Sequence, residues 1–116
     1  MSAVGQGGSG ASPNGAHLKN LSDKECKDMG NKFFGVRNIE GAIEAYSMAI
    51  LKNGSVPHYY TNRALCYLNQ KRWASAIQDA RRALERDPNL VKGHFYLGIY
   101  YYYEFTNNKI FFLRSN

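Results

Sequence analysis

The chain has 116 residues, of which 44% are hydrophobic and 21% are charged. This length and composition favour one small soluble domain and argue against disorder after about residue 17. Lys and Arg outnumber Asp and Glu by 15 to 9, and the net charge of +6 favours an anionic partner. Charge alone does not distinguish nucleic acid, an acidic peptide and a membrane surface.

Motifs for metals, cofactors and targeting are missing from the sequence. Cys26 and Cys66 have neither C-x-x-C spacing nor a nearby histidine pair, so we expect free, buried thiols in a reducing compartment. The G-x-G-x-x-G between Gly5 and Gly10 lacks the preceding strand and following helix that a dinucleotide site needs. Because no secretory signal or membrane-length apolar run occurs, we expect a cytoplasmic protein, with the nucleus as a second location, that holds no metal and no cofactor.

The first 18 residues are predicted to be a disordered leader. Residues 1–16 are mostly Gly, Ser, Ala, Asn and Gln, which bury too little apolar surface to offset the entropy of ordering. Order is expected to start at the capping box Ser22-Asp23-Lys24-Glu25. The helix that follows is predicted to run to about Gly35, which suits the left-handed C′ position.

Apolar residues at three- and four-residue steps predict four further helices. They are expected at about 38–52, 56–69, 73–86 and from about 89 onward. The third of these is predicted to stop at Asp87-Pro88, because proline disfavours helical geometry in the residue before it.

The chain resembles itself at a step of 34 residues. Small residues align at Gly30, Ala64 and Gly98, and aromatic residues align at Phe33, Tyr67 and Tyr101. A unit of 34 residues with two helices predicts tetratricopeptide repeats. The predicted fold is therefore all-α, a superhelix of stacked antiparallel helix pairs spanning about residues 20–103.

The third repeat unit breaks down after Gly98. At the 34-residue step, Arg114 occupies the position of Tyr46 and Ala80. We therefore predict two full repeats, an incomplete third and a divergent tail at residues 104–116. Because solenoid repeats depend on their neighbours, we expect marginal stability and an exposed apolar end.

Four polar side chains are predicted to face one groove. Lys27 and Asn31 are four apart on one helix face, Asn62 lies on the equivalent helix of the second repeat, and Lys92 starts that of the third. Taken singly, each is better explained as a solvated lysine or as a turn or capping asparagine. The first helices of solenoid units line one concave face, so together these residues suit a ligand with two carboxylates.

This constellation resembles the carboxylate clamp of tetratricopeptide-repeat co-chaperones. The stretches 59–68, 81–85 and 91–98 are similar to the U-box ubiquitin ligases among them, and the resemblance covers about residues 20–98. It implies that the clamp grips the C-terminal Glu-Glu-Val-Asp tail of seventy- and ninety-kilodalton heat-shock chaperones. The implied clamp residues are Lys27, Asn31, Asn62 and Lys92.

The resemblance also implies apolar groove contacts from Phe34, Phe95 and Tyr96. Many clamps carry an arginine at the position of Tyr96, four residues after Lys92, whereas the U-box ligases resemble this chain in having an aromatic residue there. This departure from the wider pattern favours the U-box branch.

Three hypotheses about function stay open at this point. The first is an adaptor for chaperone tails, the second is the front part of an E3 ubiquitin ligase, and the third is a truncated competitor of that ligase. The U-box and the helical dimerisation hairpin of the family do not occur in this sequence, so we expect no enzymatic activity from it. The basic doublets at residues 71–72 and 81–82 come with no nucleic-acid motif, so we expect neither a nucleic-acid nor a membrane partner.

Overall fold

The described part of the chain is built entirely from helices. The computed structural model describes residues 15–99, 101–102 and 106. Residues 91–99 and 101–102 are helical and are named α6 here. The preceding helices are α1 (Gly15–Lys19), α2 (Asp23–Gly35), α3 (Ile39–Lys52), α4 (Pro57–Asn69) and α5 (Trp73–Arg86).

The helices form two stacked pairs. α2 packs on α3 and α4 packs on α5, and α3 and α4 join one pair to the next. Connections of three residues make the members of each pair antiparallel. The all-α class and the repeat architecture predicted from the 34-residue period are confirmed, and helices α2 to α5 begin and end within two residues of their predicted bounds.

A Schellman turn ends α2. Arg37 has φ 68°, its N–H donates to the Phe34 carbonyl at 3.0 Å, and the Asn38 N–H donates to the Phe33 carbonyl at 2.8 Å. The prediction that Gly35 takes the left-handed position is therefore wrong. Gly35 is the last helical residue, and Arg37 adopts the left-handed conformation because both hydrogen bonds of the turn require it there.

The second pair repeats this turn one period later. Lys71 has φ 59°, its N–H donates to the Leu68 carbonyl at 3.0 Å, and the Arg72 N–H donates to the Tyr67 carbonyl at 2.9 Å. The 34-residue repeat thus extends from the side chains to the backbone conformation.

The capping box at Ser22 is present as predicted. The Glu25 N–H donates to the Ser22 hydroxyl at 3.1 Å, and the Ser22 N–H donates to the Glu25 carboxylate at 2.8 Å. Two amides of the first turn of α2 are satisfied in this way. The start of α2 is consequently fixed, and with it the position of every side chain that α2 contributes.

Helical structure begins earlier than the capping box predicts. The predicted leader spans residues 1–18, yet Gly15–Lys19 form α1, and Leu18 is buried against Cys26 and Tyr59. Lys52 Nζ donates to the carbonyl oxygens of Lys19 and Leu21 at 2.8 and 2.5 Å. One buried leucine and these hydrogen bonds explain why α1 packs against the first pair. Residues 1–14 lie outside the described residues.

Apolar side chains on α6 face solvent, as the interrupted third repeat predicts. Phe95 is 61% exposed and Tyr102 is 75% exposed. Both line, with Gly98 and Ile99, an apolar concavity of about 410 Å³. The predicted malformed second helix of the third repeat and the tail at 104–116 lie, apart from Thr106, outside the described residues.

Candidate peptide-binding groove

Helix α2 presents Lys27 and Asn31 at the edge of its buried face. Cys26 and Gly30 are buried, and their neighbours one position further along lie about 100° around the helix. Lys27 is partly exposed and its Nζ lies 3.3 Å from Asp28 Oδ1. An exposed ion pair of this kind contributes at most about 1 kcal/mol. Lys27 can therefore exchange this partner for a ligand carboxylate at little cost.

The Asn31 amide is held by a buried tyrosine on the neighbouring helix. The Tyr46 hydroxyl donates to Asn31 Oδ1 at 2.5 Å, and Tyr46 is 3% exposed. Burial raises the pKa of Tyr46, so its hydroxyl stays protonated at neutral pH and remains a donor. Sequence reasoning places Tyr46 on the apolar face of α3 but misses this contact.

Asn31 and Asn62 line one open concavity. Its volume is about 260 Å³, and α2, α3 and α4 all contribute to it. The structure thus brings together two predicted clamp residues and one predicted apolar contact, Phe34. The residues that line this concavity, called the groove below, are Asn31, Phe34, Gly35, Tyr46, Asn62 and Leu65.

The other predicted site residues lie outside this set. Lys27 is one turn before Asn31 on α2, and Lys92 is exposed in the first turn of α6. Phe95, also on α6, lines the separate apolar concavity with Tyr102. The convergence of Lys27, Lys92 and Phe95 on the groove therefore stays a prediction.

Tyr96, the third predicted apolar contact, is absent from the residues that line the groove. It is 8% exposed and packs in a core cluster with Ala64 and Ala80. The small side chains on α4 and α5 leave room for an aromatic ring there, and burial raises the pKa of Tyr96. Tyr96 thus joins α6 to the second pair, and its contact with a ligand in the groove stays a prediction.

A buried ion pair beside the groove is missed by sequence reasoning. Asp79 is fully buried on α5, and Arg63 donates to it twice, from Nε at 2.7 Å and from Nη2 at 2.8 Å. Arg63 Nη1 also donates to Ser47 on α3 at 2.9 Å, so one guanidinium joins three helices. The available signal is Asp79 itself, a carboxylate between Ala76 and Ala80 on the apolar stripe of α5.

The local balance of charge favours the ionised form of Arg63. Desolvation acts to lower the pKa of Arg63, but the hydrogen bonds and the charge of Asp79 outweigh it, and the pKa is raised. Because Arg63 directly follows Asn62 on α4, the pair also fixes the part of α4 that faces the groove.

Neither a metal-binding cluster nor a reactive cysteine is found among the described residues. Within residues 15–99, 101–102 and 106, no group of three His, Cys, Asp or Glu side chains is placed to hold a metal ion. Cys26 and Cys66 are free and buried, as predicted. Burial raises the pKa of Cys66 to about 12, so its thiol stays protonated and is a poor nucleophile. Over the same part of the chain, no helix combines the length and apolar character needed to span a bilayer.

Comparison with known proteins supports the repeat assignment. The tetratricopeptide repeat family matches residues 58–90. The E3 ubiquitin-protein ligase CHIP of Arabidopsis thaliana is 41% identical over 76 residues, which cover 66% of this chain and 27% of the ligase. The chain thus spans about a quarter of the length of that relative.

Solved structures with the same fold carry chaperone peptides. The second tetratricopeptide-repeat domain of Spaghetti (RPAP3), bound to the HSP90 peptide SRMEEVD, superposes with a TM-score of 0.71 and 28% identity over 80% of this chain and 87% of that one. The TPR2B domain of yeast Sti1, in complex with an Hsp70 peptide, gives a TM-score of 0.65 and 26% identity over 67% and 62% of the two chains. The matched repeat and these superpositions together show that the described part of this chain has the tetratricopeptide-repeat fold.

Proposed function

We propose that the chain is a co-chaperone adaptor that binds the C-terminal Glu-Glu-Val-Asp tail of heat-shock chaperones. The clamp would consist of Lys27, Asn31, Asn62 and Lys92. The observation that carries this proposal is the meeting of Asn31 and Asn62, from equivalent helices of two repeats, in one groove. Two amides beside an apolar side chain suit a peptide end better than a metal or a nucleotide.

The chemistry of the tail matches the side chains. A chain ending in Asp carries two carboxylates that are both ionised at neutral pH. Lysine supplies point-charge donors and asparagine a directional N–H₂ group, and each hydrogen bond to a charged group contributes about 1.5–3 kcal/mol. Phe34 and Leu65 give the groove apolar surface for the valine that precedes the terminal aspartate. The net charge of +6 favours encounter with an acidic tail.

The structural neighbours support both chaperone classes as partners. One was solved with an HSP90 peptide that ends in Glu-Glu-Val-Asp and another with an Hsp70 peptide. Both share the fold of this chain at more than 25% identity. We accordingly propose that the chain accepts tails of either class, in the cytoplasm and also in the nucleus.

Replacing Lys27 with alanine should weaken binding of a peptide ending in Glu-Glu-Val-Asp by about tenfold or more, because one charge-assisted hydrogen bond is lost. Amidation of the peptide's terminal carboxylate should weaken binding by a similar factor. Both effects are measured by isothermal titration calorimetry. Lys32→Ala is the matched control, since Lys32 lies on the same helix but lines a different concavity, with Glu25 and Met29.

Unchanged affinity in the Lys27 variant and for the amidated peptide would contradict the clamp. Equal losses of affinity in the Lys27 and Lys32 variants would show that only net charge matters, and would also contradict the clamp.

A second proposal concerns ubiquitin transfer, favoured by the 41% identity to CHIP. The matched region lies in a repeat domain, which is non-catalytic, so we propose that this chain occupies chaperone tails without transferring ubiquitin itself. Added to an intact ligase of this family, it should lower ubiquitination of a chaperone-bound client in a reconstituted assay. The Lys27→Ala chain should lower it less, because it binds the tail more weakly.

Undiminished ubiquitination at saturating amounts of the chain would reject the competitor. Ubiquitination of the client by this chain without any other ligase would show instead that it carries ligase activity.

A further inference from the structure

We propose that Tyr46 is a positioning residue, which turns the Asn31 amide so that its N–H₂ group faces the groove. This inference rests on the proposed function, since it concerns how the same groove prefers a carboxylate. Tyr46 itself need not touch the ligand through its hydroxyl. It sets which end of the Asn31 amide the ligand meets.

The position of the Tyr46 ring is fixed on several sides. The ring packs in a core cluster with Ala42, Ile43 and Cys66. Across from it, Gly30 on α2 leaves so little space that an added Cβ would lie 2.6 Å from Tyr46 Cδ1 and 2.8 Å from Cζ. A ring held between α2 and α3 in this way keeps its hydroxyl at one place beside Asn31.

The hydroxyl in turn selects one orientation of the amide. Within the described part of the chain, its one hydrogen bond is the 2.5 Å donation to Asn31 Oδ1. If the amide turned by half a rotation, the N–H₂ group would face the hydroxyl, whose proton would then have no acceptor there. A buried donor without an acceptor is strongly disfavoured, so Oδ1 faces Tyr46 and Nδ2 faces away.

The orientation of the Asn31 amide decides whether a ligand in the groove meets hydrogen-bond donors or an acceptor. Asn31 and Asn62 line the groove together, and an Nδ2 group directed away from Tyr46 offers two donors to a carboxylate. The opposite orientation would present Oδ1, an acceptor that repels an anion. The buried hydroxyl on α3 thus makes a neutral amide selective for a negatively charged chain end.

Tyr46→Phe removes the hydroxyl and keeps the packed ring. We expect it to weaken binding of a peptide ending in Glu-Glu-Val-Asp by about fivefold, the size of one net hydrogen bond. Affinity for the amidated peptide should change by less than about twofold, because amidation removes the main-chain carboxylate to which we assign the Asn31 donor. Added to Asn31→Ala, it should cause no further loss. Isothermal titration calorimetry measures all of these affinities.

Tyr60→Phe is the matched control for loss of a buried hydroxyl. Tyr60 is 4% exposed and its hydroxyl donates to the Gly54 carbonyl at 2.9 Å, away from the groove. We expect this variant to bind both peptides as the unmodified chain does.

The possible results separate the two proposals. If Asn31→Ala weakens binding of the free-acid peptide and Tyr46→Phe does not, the positioning role of Tyr46 is overturned and the clamp stands. The positioning role is also overturned if Tyr46→Phe lowers the affinity for the free-acid and amidated peptides equally, or if it lowers the affinity further in the Asn31→Ala background. Either result would indicate a general change of packing, which acts without regard to the carboxylate. If neither substitution nor amidation changes the affinity, the clamp fails, and the positioning role fails with it.

Discussion

Replacing Asp79 with alanine should destabilise the protein by about 3–5 kcal/mol, the cost of breaking a buried ion pair by removing one partner. Asp79 is 0% exposed. It accepts two hydrogen bonds from Arg63 and a third from Arg82 Nη1 at 3.2 Å. The alanine would leave the partly buried Arg63 guanidinium without its counter-charge, and two stacked helix pairs have little stability in reserve.

The measurement is the free energy of unfolding in urea, with Glu85→Ala as the control. Glu85 lies on the same helix, but its side chain is 73% exposed and is paired with the adjacent Arg86 at 3.6 Å. Removing it should change the free energy by no more than about 0.5 kcal/mol, since exposed ion pairs contribute little. A loss below about 1 kcal/mol for Asp79→Ala would contradict the buried pair.

A double substitution tests whether the unpaired charge causes the loss. Arg63→Met combined with Asp79→Leu replaces the pair by apolar side chains of similar size, a change that is often neutral or stabilising. We expect the double variant to recover most of the stability that Asp79→Ala loses. The recovery should be incomplete, because Ser47 and Arg82 also lose their hydrogen bonds to the pair.

The helices and the repeat are predictable because they depend on local and periodic properties of the sequence. Apolar spacing fixes which face of a helix is buried, and the 34-residue step aligns Gly30 with Ala64, both of which are buried between the paired helices. The capping box at Ser22 uses residues three apart, so no tertiary information is needed to predict it. The assignment of Asn31 and Asn62 to equivalent helices also needs no tertiary information, because it follows from the repeat period alone.

Most of the features that sequence reasoning misses depend on contacts between distant residues. Tyr46 and Arg63 each bond side chains at least 15 residues away in the chain, and periodicity does not reveal such partners. The packing of the Tyr96 ring against Ala64 and Ala80 is likewise not visible in the motif around it. Arg37 takes the left-handed position because the turn geometry requires one residue there, and the nearby Gly35 stays helical.

Replacing Gly30 with alanine should destabilise the protein by about 2 kcal/mol, within the usual range for overpacking a core. The new Cβ would lie 2.6 Å from Cδ1 of the Tyr46 ring, a separation that real Cβ atoms do not show, so the ring or α2 has to move. This movement opposes the gain of about 0.5–1 kcal/mol that alanine normally brings to a helix interior. Because the same ring holds Asn31, the variant should also bind the Glu-Glu-Val-Asp peptide more weakly.

Gly35→Ala on the same helix separates packing from helix propensity. No heavy atom of a neighbouring residue lies within 4 Å of a Cβ built at Gly35, so its alanine variant should keep the same stability or gain up to about 0.5 kcal/mol. The difference between the two free energies of unfolding then measures the cost of displacing the Tyr46 ring. If both variants were equally stable, the close contact between α2 and α3 would not constrain that ring, and the fixed hydroxyl on which the orientation of Asn31 depends would lose its physical basis.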